Sequence, residues 1–266
     1  MLRLASFLAA NARPLHAGIA TYLAAALEEP AELLTGIAWD EQHRRLDAGE
    51  IDVAFICGLL YMQKRAAGRP LELLCAPVMA APRYGSAPIY FTDVVVRADR
   101  PFRTFADLRG AVFAYNEPES HSGYNVIRHH LLTLGETRGY FGAVVASGSH
   151  QRSIDLVLAG RADATGVDST VLELEAARRP EIAAALRPVA AIGPGPIPPV
   201  IVARGLAPAL RARLAAAFLG MAGDPAGRPI LARGGVARFV RVAEADYAPL
   251  LAMVDRARAA GFSTLR

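Results

Sequence analysis

The sequence predicts an α/β protein of two lobes on mostly parallel sheets, and three observations carry the prediction. Short apolar runs alternate with helically spaced segments along most of the 266 residues, the pattern of parallel strands joined by crossover helices. The alternation restarts after Phe105, as a second unit requires. Two extended stretches, at about 92–97 and 190–202, are placed to carry the chain between lobes and back. They give a first lobe of residues 1–94 and 193–266, a second of 95–192, and a hinged cleft between them.

The elements follow in order. Leu2 to Leu8 reads as the opening strand, and Pro14 starts a helix whose apolar positions run from Leu15 to Leu27. A short strand is expected near Leu33 to Ala38, then a polar-faced helix from Asp40 to Ala48 and a buried strand from Ile51 to Ile56, ended by Gly58. A helix from Leu60 to Ala67 and strands at Leu71–Val78 and Tyr90–Arg97 complete the first stretch. The second unit reads as strand Ala111–Tyr115, helix from Ser122 to Gly135, strand Ala143–Ala146 and helix Gln151–Ala159. Strand Ala162–Val167 and helix Thr170–Arg178 follow, and Leu186–Ile192 leads into a proline-rich segment. Strand Val200–Ala203 and amphipathic helices at Pro208–Met221 and Ala245–Ala260 close the chain.

Composition excludes several classes. With 53% apolar and 20% charged residues, the chain can build a large core and is neither a disordered segment nor a small disulfide scaffold. The net charge of +4 rests on arginine, since Lys64 is the sole lysine. Arginines after residue 200 lie at helical spacing without interleaved aromatics, so they read as solvated faces and imply no nucleic acid. Cys57 and Cys75 sit in apolar stretches and read as free thiols. Pro188 to Ala203 is uncharged but broken by prolines and glycines, so no membrane insertion is expected. Arg3, the apolar Leu4–Ala10 and Ala10-Asn11-Ala12 mimic a short signal peptide, yet residues 2–8 fit better as a strand. The chain as given is therefore expected to be cytoplasmic, and periplasmic if an export signal was trimmed.

Three strand-to-helix junctions carry the chemistry. Asn116 to Tyr124 contains Ser120-His121-Ser122, Ser147-Gly148-Ser149-His150 follows the next strand, and Asp168-Ser169-Thr170 the one after. Helix starts present unpaired backbone N–H groups and partial positive charge, so each can receive an oxyanion without lysine. Each also has a plain explanation: Ser120 or Ser122 as a helix cap, His150 as a satisfied surface histidine, Thr170 and Glu173 as a capping box. In a parallel sheet such junctions lie along one edge, where ligands bind. His129 and His130 are adjacent on a helix and make a poor metal pair; neither metal nor cofactor is expected.

These segments, with Ile51–Gly58, Ile89–Val96, Thr104–Gly110, Ala162–Leu172 and Pro196–Arg204, resemble the phosphate, phosphite and phosphonate substrate-binding proteins of ABC transporters. The resemblance implies the type II periplasmic-binding-protein fold. It assigns the family's serine-threonine-serine oxyanion set to Ser120, His121 and Ser122, its histidine to His150, its tyrosine to Tyr90 and a further aromatic position to Trp39. His121 departs from the pattern. Two acidic positions that meet a ligand amine in some members fall on Thr170 and Pro199, which disfavours aminoalkyl phosphonates. Asp168 is the nearest acid and is expected to accept from a protonated ligand oxygen.

The expected function is therefore capture of a small phosphorus oxyanion (phosphate, phosphite or an amine-free phosphonate) by a non-enzymatic binding protein that feeds an ABC permease. Two alternatives stay open on sequence alone. One is a cytoplasmic enzyme on the same fold, like chorismate dehydratases or the thiamine-pyrimidine-synthesis proteins, and the other an intracellular anion sensor.

Overall fold

The computed structural model describes residues 1–265, which group into two compact units. The first holds Met1–Ile89 and Pro196–Tyr247, the second Tyr90–Gly195 and the segment from Ala248 onward.

The first unit opens with β1 (Leu2–Ser6), α1 (Arg13–Leu27), β2 (Ala31–Leu33) and α2 (Trp39–Asp47). It continues through β3 (Val53–Phe55), α3 (Gly58–Ala66) and β4 (Leu71–Met79). Helix α1 shows why these residues fold so: Leu15, Ile19, Leu23 and Leu27 recur every fourth position and all are buried, a stripe that an amphipathic helix turns to the core. The second unit contains β5 (Ile89–Arg97), β6 (Val112–Tyr115), a π-helical turn at His121–Asn125, α4 (Val126–Thr133) and β7 (Ala143–Ala146). It goes on with α5 (His150–Leu158), β8 (Ala164–Asp168), α6 (Ser169–Arg178), α7 (Pro180–Ala185) and β9 (Leu186–Pro196). Then come β10 (Val200–Ala203), α8 (Pro208–Gly220), α9 (Gly227–Arg233), β11 (Val236–Val240) and α10 (Glu244–Ala259).

The first sheet has the order β11-β4-β10-β3-β1-β2 and the second β7-β6-β8-β5-β9. Both are mixed, which corrects the expectation of mostly parallel pairing. Strand β1 is parallel to β2 and β3, but β10 pairs antiparallel with β3 and β4, and β11 antiparallel with β4. Because β10 separates β3 from β4, the first four strands still run one way. The return segment supplies β10 without a crossover helix, so the rule that makes βαβ strands parallel does not govern it. In the second sheet β6 is parallel to β7 and β8, while β5 is antiparallel to β8.

The unit boundaries also differ from expectation. The chain leaves the first unit at Ile89 and returns at Pro196, and the segment after Tyr247 belongs with the second unit, although sequence reading assigned all of 193–266 to the first. Packing decides this. Phe262 and Leu265 join an aromatic core in which Phe113 stacks on Phe141 at 4.4 Å. Arg128 donates to the Ser263 carbonyl at 2.8 Å, and the Leu265 amide to the Tyr124 hydroxyl at 3.1 Å. Helical periodicity shows that a helix forms, not which core its end will cover.

The proline-rich segment forms most of β9, at a sheet edge where a missing N–H is tolerated. Among the described residues no helix is long and apolar enough to cross a membrane. Neither Cys57 nor Cys75 is in a disulfide.

Candidate functional site

Strands β7, β6 and β8 are parallel neighbours, so the junctions after them open on one edge of the second sheet. All three carry side chains chosen at the sequence level. The first junction bends through Ser120, whose backbone is extended (φ −68°, ψ 132°) and whose Oγ accepts from the Gly123 amide at 3.1 Å. The capping explanation of Ser120 is therefore correct for its lone pairs, and its hydroxyl proton remains available as a donor. The turn that follows is π-helical: the Asn125 amide reaches back to the Ser120 carbonyl at 3.0 Å. A wider turn leaves the amides at its start without intrahelical acceptors, and single π turns often mark functional sites.

Ser122 and His150 meet. Ser122 Oγ lies 3.0 Å from His150 Nε2, and both residues are buried. His150 is placed by the second junction, where Gly148 takes a left-handed conformation (φ 84°) and its amide donates to the Asn116 carbonyl at 2.8 Å. A side chain is strained at that φ. Ser149 then caps α5 by accepting from the Arg152 amide at 3.1 Å, which leaves His150 as the first helical residue. Thr92 on β5 supports the other partner, donating from Oγ1 to the Ser122 carbonyl at 3.1 Å.

Gly123 lets these groups converge. A Cβ there would stand 1.9 Å from Asn116 Oδ1 and 3.2 Å from His150 Cε1. Asn116, itself buried, was not singled out from sequence, and a buried asparagine at the end of a strand is the signal that could have found it.

His121 is 3% exposed and its Nδ1 lies 3.2 Å from Asn125 Nδ2. Its ring centroid is 6.3 Å from that of Tyr90, also buried. Burial lowers the pKa of His121 to about 4, with His129 adding repulsion. Burial likewise lowers His150 to about 4, opposed in part by the Gly166 backbone. Both imidazoles are therefore neutral near pH 7, each with one N–H to donate.

Asp168, at the third junction, caps α6: Oδ1 accepts from the Thr170 amide at 2.8 Å and hydroxyl at 2.7 Å. Burial raises its pKa to about 6, against the lowering effect of the Thr170 bonds. Asp168 pairs with Thr92 across the β5–β8 ladder, two strands meeting beneath the serine turn. Trp39 belongs to the first unit; it opens α2, is 37% exposed, and packs against His43 at 4.7 Å and Phe7 at 5.8 Å.

Ser120, His121, Ser122, His150, Asp168 and Tyr90 thus all lie in the second unit, and all are buried. The set can donate to a small anion. Among the described residues no cluster of His, Cys, Asp and Glu could hold a metal ion.

Comparison with known proteins agrees with this architecture. A phosphonate ABC-transporter binding component from Pseudomonas aeruginosa shares the fold at a TM-score of 0.82 and 15% identity, over 100% of this chain and 89% of that one. The Prochlorococcus marinus protein PhnD1, solved with methylphosphonate, gives 0.84 and 16% identity over 97% and 98% of the two chains. A Xanthomonas citri protein solved with ATP gives 0.75 and 21% over 97% and 98%. At the level of sequence, residues 4–247 match the family described as ABC transporter, phosphonate, periplasmic substrate-binding protein. With most of its length covered by that match, the chain belongs to the periplasmic substrate-binding proteins of phosphonate ABC transporters, a family of binding proteins and not of enzymes.

Proposed function

We propose that this protein binds a small tetrahedral phosphorus oxyanion, namely phosphate, phosphite or a phosphonate without an amine, and delivers it to an ABC permease. The observation that carries the reading is the buried Ser122–His150 pair at 3.0 Å beside the Ser120-capped π turn. It gathers hydroxyl, imidazole and backbone donors with no cationic side chain among the residues at the turn. Neutral donors suit an anion that must later be released, because hydrogen bonds to an ionised oxygen are strong in themselves and need no second buried charge whose desolvation must be offset. Tyr90 and Trp39 are assigned to the ligand by the family pattern, and Asp168 to a protonated ligand oxygen. With Thr170 and Pro199 at the positions that meet an amine elsewhere in the family, 2-aminoethylphosphonate is the weakest candidate. The compartment follows the family, whose description is periplasmic; fractionation of the source cells checks it.

Calorimetric titration with phosphate, phosphite, methylphosphonate, 2-aminoethylphosphonate and sulfate tests the proposal. Saturable binding of at least one of the first three, lost in a Ser120→Ala/Ser122→Ala double variant, is the expected result. Equal binding by the double variant leaves the serines as structural caps and overturns the reading.

A further inference from the structure

His121 stands where the family pattern has a smaller hydroxyl residue, and its ring can be traced outward through two side chains to the C-terminal segment. Arg128 is 9% exposed and carries only donors. Its guanidinium lies 3.2 Å from Asn125 Oδ1, so the amide oxygen faces the arginine and the amide NH2 faces His121 Nδ1 at 3.2 Å. An amide NH2 cannot accept a hydrogen bond. Nδ1 must therefore supply the lone pair, and in the neutral ring the proton sits on Nε2.

That nitrogen is directed at the space beside Gly195. It lies 3.7 Å from where a Gly195 Cβ would stand, with Tyr90 Cε1 at 3.6 Å from the same point. Arg128 in turn is fixed on two sides. It donates to the Ser263 carbonyl at 2.8 Å, and its guanidinium carbon sits 5.5 Å from the centroid of Tyr124, whose hydroxyl accepts from the Leu265 amide at 3.1 Å.

We propose that Asn125 and Arg128, braced by Ser263 and Tyr124, are positioning residues that hold His121 as an Nε2–H donor, which favours ligands presenting an acceptor oxygen beside Tyr90. This rests on the oxyanion reading of the π turn and deepens it. The relay gives the anion site a directed donor without placing a cation in it, since the arginine charge stays one side chain removed. It also makes the C-terminal segment part of the site's architecture.

The test is imidazole 15N NMR of the full ligand-free chain at pH 7, with His121 assigned from His121→Gln, together with titration by phosphate and methylphosphonate. The native ring should resonate as the Nε2–H tautomer. Asn125→Leu should convert it to a tautomer mixture and weaken both anions by about three- to tenfold, the range of one neutral hydrogen bond. Asn125→Ser, whose hydroxyl can donate or accept, is the second variant and should do the same. A native Nδ1–H ring overturns the proposal with no variant needed, as does unchanged affinity in a variant whose tautomer has shifted. Failure of the oxyanion reading looks different: the native chain then binds neither anion whatever its tautomer, and the proposed selectivity falls with it.

Discussion

A single methyl group tests the packing of the candidate site. Gly123 has no room for one, because the nearest atoms, Asn116 Oδ1 and His150 Cε1, would be 1.9 Å and 3.2 Å away. Gly123→Ala must push both side chains aside, and overpacking of this kind costs about 1–3 kcal/mol. We expect a matching loss in urea unfolding and at least a tenfold loss of methylphosphonate affinity by calorimetry. An alanine variant that binds normally would separate His150 from the ligand. Gly195→Ala makes the contrast, since its nearest contacts at 3.6 Å and 3.7 Å are ordinary van der Waals distances and should leave stability unchanged. At this scale the sequence was partly legible. Ser120, Ser122 and His150 are readable as donors at helix starts from residue type and position alone. The state of His121 is not, because it depends on an arginine anchored by a carbonyl 135 residues away.

At the scale of elements, α5 shows how a cap serves the site. Ser149 Oγ accepts from the Arg152 amide at 3.1 Å and the next residue is His150. Ser149→Ala removes that bond and should cost about 1 kcal/mol of stability. Because fraying of the first turn loosens His150, anion affinity should also fall, whereas capping by Asp in Ser149→Asp should restore the melting temperature. Thermal denaturation of the two variants side by side checks this. Elements with strong periodicity, such as α1 and β4, were legible along nearly their whole length. Those that escaped notice share a physical cause. Strand β11 is an edge strand with Ala237 and Arg238 both exposed, so its apolar alternation is broken. Helix α7 has six residues and α9 has seven, too few to display a helical period. The π turn begins like any capped helix, and its extra residue per turn leaves no mark in the pattern.

For the whole molecule, the alternation of strands and helices exposed two units, but not how the segment after Tyr247 divides between them. Its last apolar residues, Phe262 and Leu265, follow the end of α10 at Ala259, where periodicity no longer assigns a face. Their destination is set by the cavity they fill among Phe105, Phe113 and Phe141. Removing residues 262–266 should therefore destabilise the second unit. A two-step thermal transition in which the earlier step involves Phe113 and Tyr140 resonances would show it, and an unchanged single melt would refute it.

Acid should weaken the fold, and the sign follows from the buried imidazoles. Burial lowers His16 to about 3, where it stacks on Phe55 at 3.8 Å, and lowers His121 and His150 to about 4, all from an ordinary value of 6.5. Between pH 6.5 and 4 the unfolded chain takes up protons on these three rings that the folded chain refuses. Their stabilising contribution is thus complete above 6.5 and is lost as pH falls, at roughly 1.4 kcal/mol per pH unit for each fully coupled ring. Asp168 works in the opposite direction: its folded carboxyl, raised to about 6 from 3.8, holds a proton between those values that the unfolded chain releases, so acid favours it. Glu117, whose carboxyl burial also raises, acts in the same sense as Asp168, while burial lowers His129 and His130 along with the three rings above, and the imidazoles win. The melting temperature measured by calorimetry should drop steadily from pH 7 to pH 5. Replacing His16 by Asn and His121 by Gln should flatten that slope even where each variant lowers stability at pH 7. A melting temperature that holds constant or rises on acidification would mean that these rings are charged in the folded protein, and with them would go the neutral-donor account of how the anion is held.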